Sequence, residues 1–247
     1  MSLLFAAIGL AAGGLINGLA DDLPRRARPQ RPHCPRCGYV YGLAGWLALT
    51  RSLAYVGSCP QCGLPTRRRA LVVEVGTAVL FAILPLLLLE PANLIVYALY
   101  IAVLILVIVI DLEHRLILRV VVFPATVVAL AGSLLVSDNS PLAAVLGATM
   151  GYAFFYFLYW LGRRLRGPGA LGYGDVTLAM TLGAMLGVHR VFFAFVLAIG
   201  LAALVALFLL VSRRATLRDH FAYGPYLAVA GMVMLIWGGR VLEWYQN

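Results

Sequence analysis

The arginines of this chain are concentrated rather than scattered. Seventeen of nineteen fall in four stretches between apolar blocks, and the sequence has no lysine. The apolar blocks approach the roughly 17–25 residues that a membrane-spanning helix needs. Positive charge beside such a helix is retained on the cytoplasmic side. The arginines therefore set the topology, and the topology limits every later step. At 63% apolar and 12% charged, the chain lies far from the roughly 45–50% and about 25% of soluble domains. The fold class expected is all-α integral membrane, with about eight transmembrane helices.

The spans are expected near Leu3–Ala20, Ala70–Leu89, Asn93–Ile110, Val120–Val136, Leu142–Leu161, Val176–Leu186, Val191–Val211 and Tyr223–Gly239. The intervening loops alternate. Asp22–Arg69, Asp111–Arg119, Gly162–Asp175 and Ser212–Ala222 carry the seventeen arginines and are assigned to the inside. The other loops and the C-terminus carry two, Arg190 and Arg240. Both termini are expected outside. Met1–Ala20 has no positive charge ahead of its apolar run, which argues for a first helix rather than a cleaved signal. The net charge of +9 then reads as topogenic charge plus contact with anionic lipid, not as a nucleic-acid footprint. Span six is short, so it must begin before Asp175, tilt, or be shielded by neighbours. Glycine pairs such as Gly9 with Gly13, Gly147 with Gly151 and Gly183 with Gly187 have the spacing of closely packed helices.

All four cysteines lie in the first inside loop, as Cys34-Pro-Arg-Cys37-Gly and Cys59-Pro-Gln-Cys62-Gly. Paired C-x-x-C-G knuckles suit a four-thiolate zinc site. Four thiolates leave no open coordination position, so the zinc is expected to be structural. Disulfides are disfavoured in the reducing cytoplasm. Three parts follow: 1–21 as the first transmembrane helix, 22–69 as the cytoplasmic loop with the zinc site, and 70–247 as a seven-helix core. The apolar stretch between the knuckles, Tyr39–Ser58, either enters the interface or packs beneath them.

Acidic residues are scarce, ten in all. Asp111 and Asp175 stand at junctions of inside loops with apolar spans, which places both at one membrane face. Two carboxylates close together cannot both ionise cheaply; they share a proton and can hold a water between them. For each alone a structural reading exists: an ion pair with Arg115 for Asp111, and helix capping for Asp175. Gly172 and Gly174 would let a substrate strand approach the backbone without Cβ obstruction. Glu74, inside a span, needs a partner or a task.

Several segments together resemble the type IV prepilin peptidases, membrane aspartic proteases of the GxGD class. Gly172-Tyr-Gly-Asp175-Val-Thr-Leu178, with Leu182-Gly183 and Leu186-Gly187, is similar to the family's GxGD block. Ile110-Asp111-Leu112 resembles its first-aspartate segment, Tyr223-Gly-Pro-Tyr-Leu-Ala228 its FGP-x-LA segment, and Gly14–Asn17 with Leu23-Pro24 its N-terminal stretch. The paired knuckles match its longer, bacterial form. Thr177 stands where the family has lysine, Leu118 where it has proline, and Asp22 where it has arginine. The resemblance implies a bacterial inner-membrane peptidase whose catalytic pair is Asp111 and Asp175, facing the cytoplasm. Its substrates would be type IV prepilins or pseudopilins, with Gly172 and Gly174 beside the substrate strand and Glu74, Glu113 and Asp22 either contacting the basic leader or pairing with this chain's own arginines. A second activity of the longer form would methylate the new N-terminus from S-adenosylmethionine. The alternatives are another GxGD-type membrane protease and a non-catalytic pilus or secretion assembly scaffold.

Overall fold

The structure is a computed structural model and describes residues 1–25, 30–42, 45–54, 57–88, 90–167, 171–212 and 223–246. Among these, the regular elements are helices, supplemented by two isolated bridges in the cysteine loop. The chain divides into two compact units, Met1–Leu94 and Ile95–Asn247. The first unit takes in the expected first span, the cysteine loop and the second apolar span together.

The first unit contains α1 (Ser2–Asp22), α2 (Ala48–Ala54) and α3 (Arg68–Leu87). Helices α1 and α3 meet at the glycines of α1. A Cβ on Gly9 would lie 2.7 Å from the Thr77 carbonyl oxygen, and one on Gly13 would lie 2.6 Å from the Glu74 Cα. Small residues thus allow backbone-to-backbone packing, as helix association in lipid requires. Between the knuckles, the chain forms α2 and packs toward these helices: Leu47 reaches the space beside Gly14, and Ala48 is buried.

Helix α4 (Pro91–His114) carries the boundary between the units. The second unit continues with α5 (Arg119–Gly132), α6 (Pro141–Arg166), α7 (Tyr173–Val211) and α8 (Gly224–Gln246). Six helices of the described chain are long and apolar enough to cross a membrane; α5 is shorter.

Spans six and seven were expected as separate helices joined by a loop at Gly187–Arg190. Two helical stretches are indeed present within the 39 residues of α7 (Tyr173–Val211), and they meet at a single non-helical residue, Gly187, with φ 75° and ψ 170°, so only the connection is shorter than expected. A straight helix of that length would be roughly 60 Å long, about twice the hydrocarbon core. The break folds it back. Gly151 of α6 packs against both Ala179 and the Phe195 ring, so those two residues of α7 lie at the same level of α6. Phe195 also packs edge-on against Phe155, with ring centroids 4.9 Å apart. Gly187 adopts a left-handed conformation that glycine alone enters freely, and a Cβ there would strike Asn139 Oδ1 at 2.5 Å.

Shielding resolves the shortness of span six. Val176, Leu178, Ala179, Leu182, Ala184 and Met185 are all buried, so the stretch opening at Asp175 lies within the second unit. The fold-back is tied down by polar groups. Asn139 Nδ2 donates to the Ala184 and Met185 carbonyls, which the break leaves without helical donors. Nearby, Arg190 pairs with Asp138 at 2.5 Å and donates to the Tyr97 hydroxyl at 3.1 Å, while Tyr97 donates to Asp138 at 2.6 Å. The single arginine of that expected outside loop is thereby satisfied within the helix ends.

Candidate active site and metal centre

In the first unit, the two knuckles are built alike. Each glycine after a second cysteine is left-handed, Gly38 at φ 73° and Gly63 at φ 67°. Each donates its N–H to the carbonyl of the first cysteine of its knuckle, at 2.9 Å in both cases. The turn is one glycine adopts readily. The four Sγ atoms lie within 4.8 Å of one another, with Cys34–Cys62 at 3.6 Å and Cys37–Cys59 at 3.7 Å. Zn–S bonds of about 2.3 Å in a tetrahedron set the sulfurs roughly 3.8 Å apart, so the quartet fits such an ion. None of the four is in a disulfide. Burial disfavours charge on Cys34, but the amides of Cys37 and Arg36 and the thiols of Cys62 and Cys37 outweigh it and bring it down to about 6. Thiolate character at this position favours a metal.

Beside the knuckles, Glu74 is 1% exposed. Its carboxylate accepts the Ala48 N–H at 2.7 Å and the Leu49 N–H at 2.9 Å. These are orphan amides at the start of α2, where an anion also suits the helix dipole. Glu74 thus anchors α2 to α3. Asp22 is buried and accepts the Gln30 N–H at 2.9 Å, while Asp21 pairs with Arg67 and Arg69.

In the second unit, Asp111 lies in the last turn of α4, 4% exposed, and Asp175 in the first turn of α7, 8% exposed. They lie within coulombic range of each other. Three local devices bring them there. The chain leaves α4 through Arg115, a non-glycine residue at φ 53° whose N–H donates to the Asp111 carbonyl at 2.9 Å. That left-handed cap leads into Ile117. Ile117 then packs between two glycines: a Cβ on Gly174 would sit 2.7 Å from the Ile117 Cβ, and one on Gly224 would sit 3.0 Å from its Cδ1. One isoleucine therefore spaces the turn bearing Asp175 from the start of α8. Finally, Thr177 donates its hydroxyl to the Gly174 carbonyl at 2.8 Å, so this departure from lysine serves the turn itself.

The two carboxylates are held differently. Asp175 Oδ2 accepts the Gly172 N–H at 3.2 Å, a reach back to the start of its own helix that bears out the capping alternative as a local role. For Asp111, the carboxylate lies against Gly224, where an added Cβ would stand 2.6 Å from Oδ2, and Oδ2 is buried with no hydrogen-bond partner. Arg115 acts on it at coulombic range. A buried, unpaired carboxylate oxygen beside a second carboxylate is costly to keep and suited to holding a water. Gly174 faces Ile117, and Gly172 is exposed beside Asp175. Glu113 is exposed on the last turn of α4. Thus Asp111, Asp175, Gly172, Gly174 and Glu113 belong to the second unit, and Glu74, Asp22 and the cysteines to the first. The spacer role of Ile117 has no signature in sequence, because only packing assigns it.

Residues 98–207, which include both aspartates, match the model of the type IV leader peptidase family. A protein of Aeromonas hydrophila named prepilin leader peptidase/N-methyltransferase is 30% identical over 225 residues, covering 91% of this chain and 78% of the relative. Proteins of the same name from Pseudomonas aeruginosa, 29% identical over 86% of this chain and 73% of the relative, and Burkholderia pseudomallei, 30% identical over 88% and 71%, also match. No solved structure matches. Because the similarity runs through both units and most of each relative's length, the chain belongs to the type IV leader peptidase family.

Proposed function

We propose that this chain is a membrane aspartic endopeptidase that removes the basic leader of type IV prepilins or pseudopilins at the cytoplasmic face of the bacterial inner membrane. One observation carries the reading: two buried aspartates from different helix ends converge within coulombic range, one with an unpartnered oxygen. The family and the names of its relatives supply the substrate class.

In this reading the pair shares a proton and holds a water. The water oxygen adds to the scissile carbonyl carbon, and its proton passes to the ionised carboxylate. The C–N bond then breaks, with a carboxyl proton transferred to the leaving amine. The dyad titrates as a unit, so base and acid are roles of the pair. The four-cysteine centre would hold zinc, which supplies a cross-link between the knuckles and no chemistry. The arginine distribution supports a cytoplasmic active site with both termini outside. The N-methyltransferase in the relatives' names extends the reading to methylation of the new N-terminus, with S-adenosylmethionine as donor.

Co-expression with a type IV prepilin tests it. Wild type should convert the prepilin to the leaderless form on a gel. Asp111→Asn and Asp175→Asn should not, at equal expression and membrane insertion. Mass spectrometry of the product should find the mass of one added methylene at its N-terminus. Unchanged processing by either variant would sink the dyad mechanism, and failure of the wild type on several prepilins would favour the scaffold reading.

A further inference from the structure

Asp111 Oδ2 is accompanied by a second orphan. The hydroxyl of Tyr223 is also buried and also lacks a hydrogen-bond partner. Tyr223 immediately precedes Gly224, where an added Cβ would stand 2.6 Å from Asp111 Oδ2, and it lies within coulombic range of Asp175. Buried hydroxyls are nearly always paired. One unpaired buried oxygen on the Asp111 carboxylate and a second on the tyrosine next to it leave both free to bond a reacting molecule.

The side chain is held in place. Its carbonyl accepts the Tyr226 and Leu227 amides at 3.1 and 3.2 Å, which seats it at the start of α8. Its ring packs on Phe155, with centroids 5.9 Å apart, and Phe155 is itself locked against Phe195. A tyrosine hydroxyl ordinarily titrates at about pH 10, so it presents a donor at physiological pH. The carboxylates provide the acceptors and the shared proton; what the site otherwise lacks is a neutral donor for the oxygen that becomes negative as water adds.

We propose that the Tyr223 hydroxyl donates a hydrogen bond to the carbonyl oxygen of the peptide bond being cleaved and strengthens it as that oxygen becomes an oxyanion. Tyr223 keeps its proton throughout; the atoms move as in the aspartate mechanism on which this inference rests. The family segment that this stretch resembles begins with phenylalanine, so the resemblance itself gives the hydroxyl no role. Cleavage should slow without it, not stop.

The test is Tyr223→Phe in the full-length protein, reconstituted in vesicles with a prepilin substrate. Removing one strong oxyanion donor from a dedicated hole typically costs about 10²–10³ in rate. Here the protonated carboxyl shares the task, so kcat should fall about tenfold with KM unchanged. Affinity for a hydroxyethylene peptide analogue of the tetrahedral intermediate should fall by the same factor. Tyr223→Leu, which also removes the ring packing, separates the structural contribution through its lower thermal midpoint. Wild-type kcat in Tyr223→Phe would overturn the proposal. So would a rise in KM alone, or a loss that tracks thermal stability across both variants. Loss of the underlying reading looks different: there, Asp111→Asn or Asp175→Asn would still process the prepilin.

Discussion

Gly224→Ala separates the geometry of the aspartate pair from the stability of the fold. A Cβ at position 224 would stand 2.6 Å from Asp111 Oδ2, 3.2 Å from its Cγ and 3.0 Å from Ile117 Cδ1. All three are side-chain atoms, so the methyl is accommodated by moving the carboxylate and not the backbone. Ordinary contact begins near 3.4 Å, so Oδ2 must retreat by about 0.8 Å. A misplacement of about 1 Å can cost roughly 10²-fold in rate, equivalent to about 2.7 kcal/mol of barrier. Alanine in the first turn of α8 favours the helix over glycine by up to about 1 kcal/mol, so stability should hold or rise. The assay is steady-state leader cleavage in proteoliposomes beside thermal unfolding in detergent. Expected is a kcat lower by about 10²-fold at an unchanged midpoint. A kcat within about threefold of wild type would refute the reasoning, because it would show that the position of Asp111 Oδ2 does not matter to the reaction.

Three further outcomes follow from other parts of the molecule. Cys34→Ser should reduce zinc, measured by elemental mass spectrometry, from about one ion per chain to a small fraction, because a structural site needs all four thiolates. Glu74→Ala frees two buried amides at the start of α2, and should destabilise the first unit by about 2–3 kcal/mol, seen as earlier protease cutting of the cysteine loop. Arg190→Met leaves Asp138 and Tyr97 without their cation and should cost about 3 kcal/mol. Adding Asp138→Leu should recover most of that loss in thermal unfolding; no recovery would argue against an ion pair as the link at the fold-back.

The membrane character, the helical class and the cysteine quartet were legible because each has a local signature: apolar runs of spanning length, arginine asymmetry, and C-x-x-C-G spacing. Asp111 and Asp175 were legible because charge at the edge of an apolar span is rare. The fold-back at Gly187 was partly legible. Two apolar stretches separated by Gly-Val-His-Arg read as a loop, but Asn139 caps the open carbonyls and Arg190 finds Asp138 and Tyr97 from another part of the chain. Those long-range satisfactions let the two helices meet at the single residue Gly187, and no local pattern announces them. Glu74 was flagged as ionisable within a span, yet the donors it accepts from, the Ala48 and Leu49 amides, sit 26 and 25 residues away. Ile117 and Tyr223 drew no role from sequence because their significance lies in what stands opposite them.

The most direct test of the central claim is a double-substitution cycle on the aspartates. Purified wild type, Asp111→Asn, Asp175→Asn and the double variant would be reconstituted in vesicles, and the rate of prepilin cleavage measured by mass spectrometry of the released leader. A pair acting as one unit predicts that either substitution alone lowers kcat by at least about 10³-fold and that the double variant is no worse than the singles. Appreciable cleavage by either single variant, or strictly multiplicative losses in the double, would contradict it.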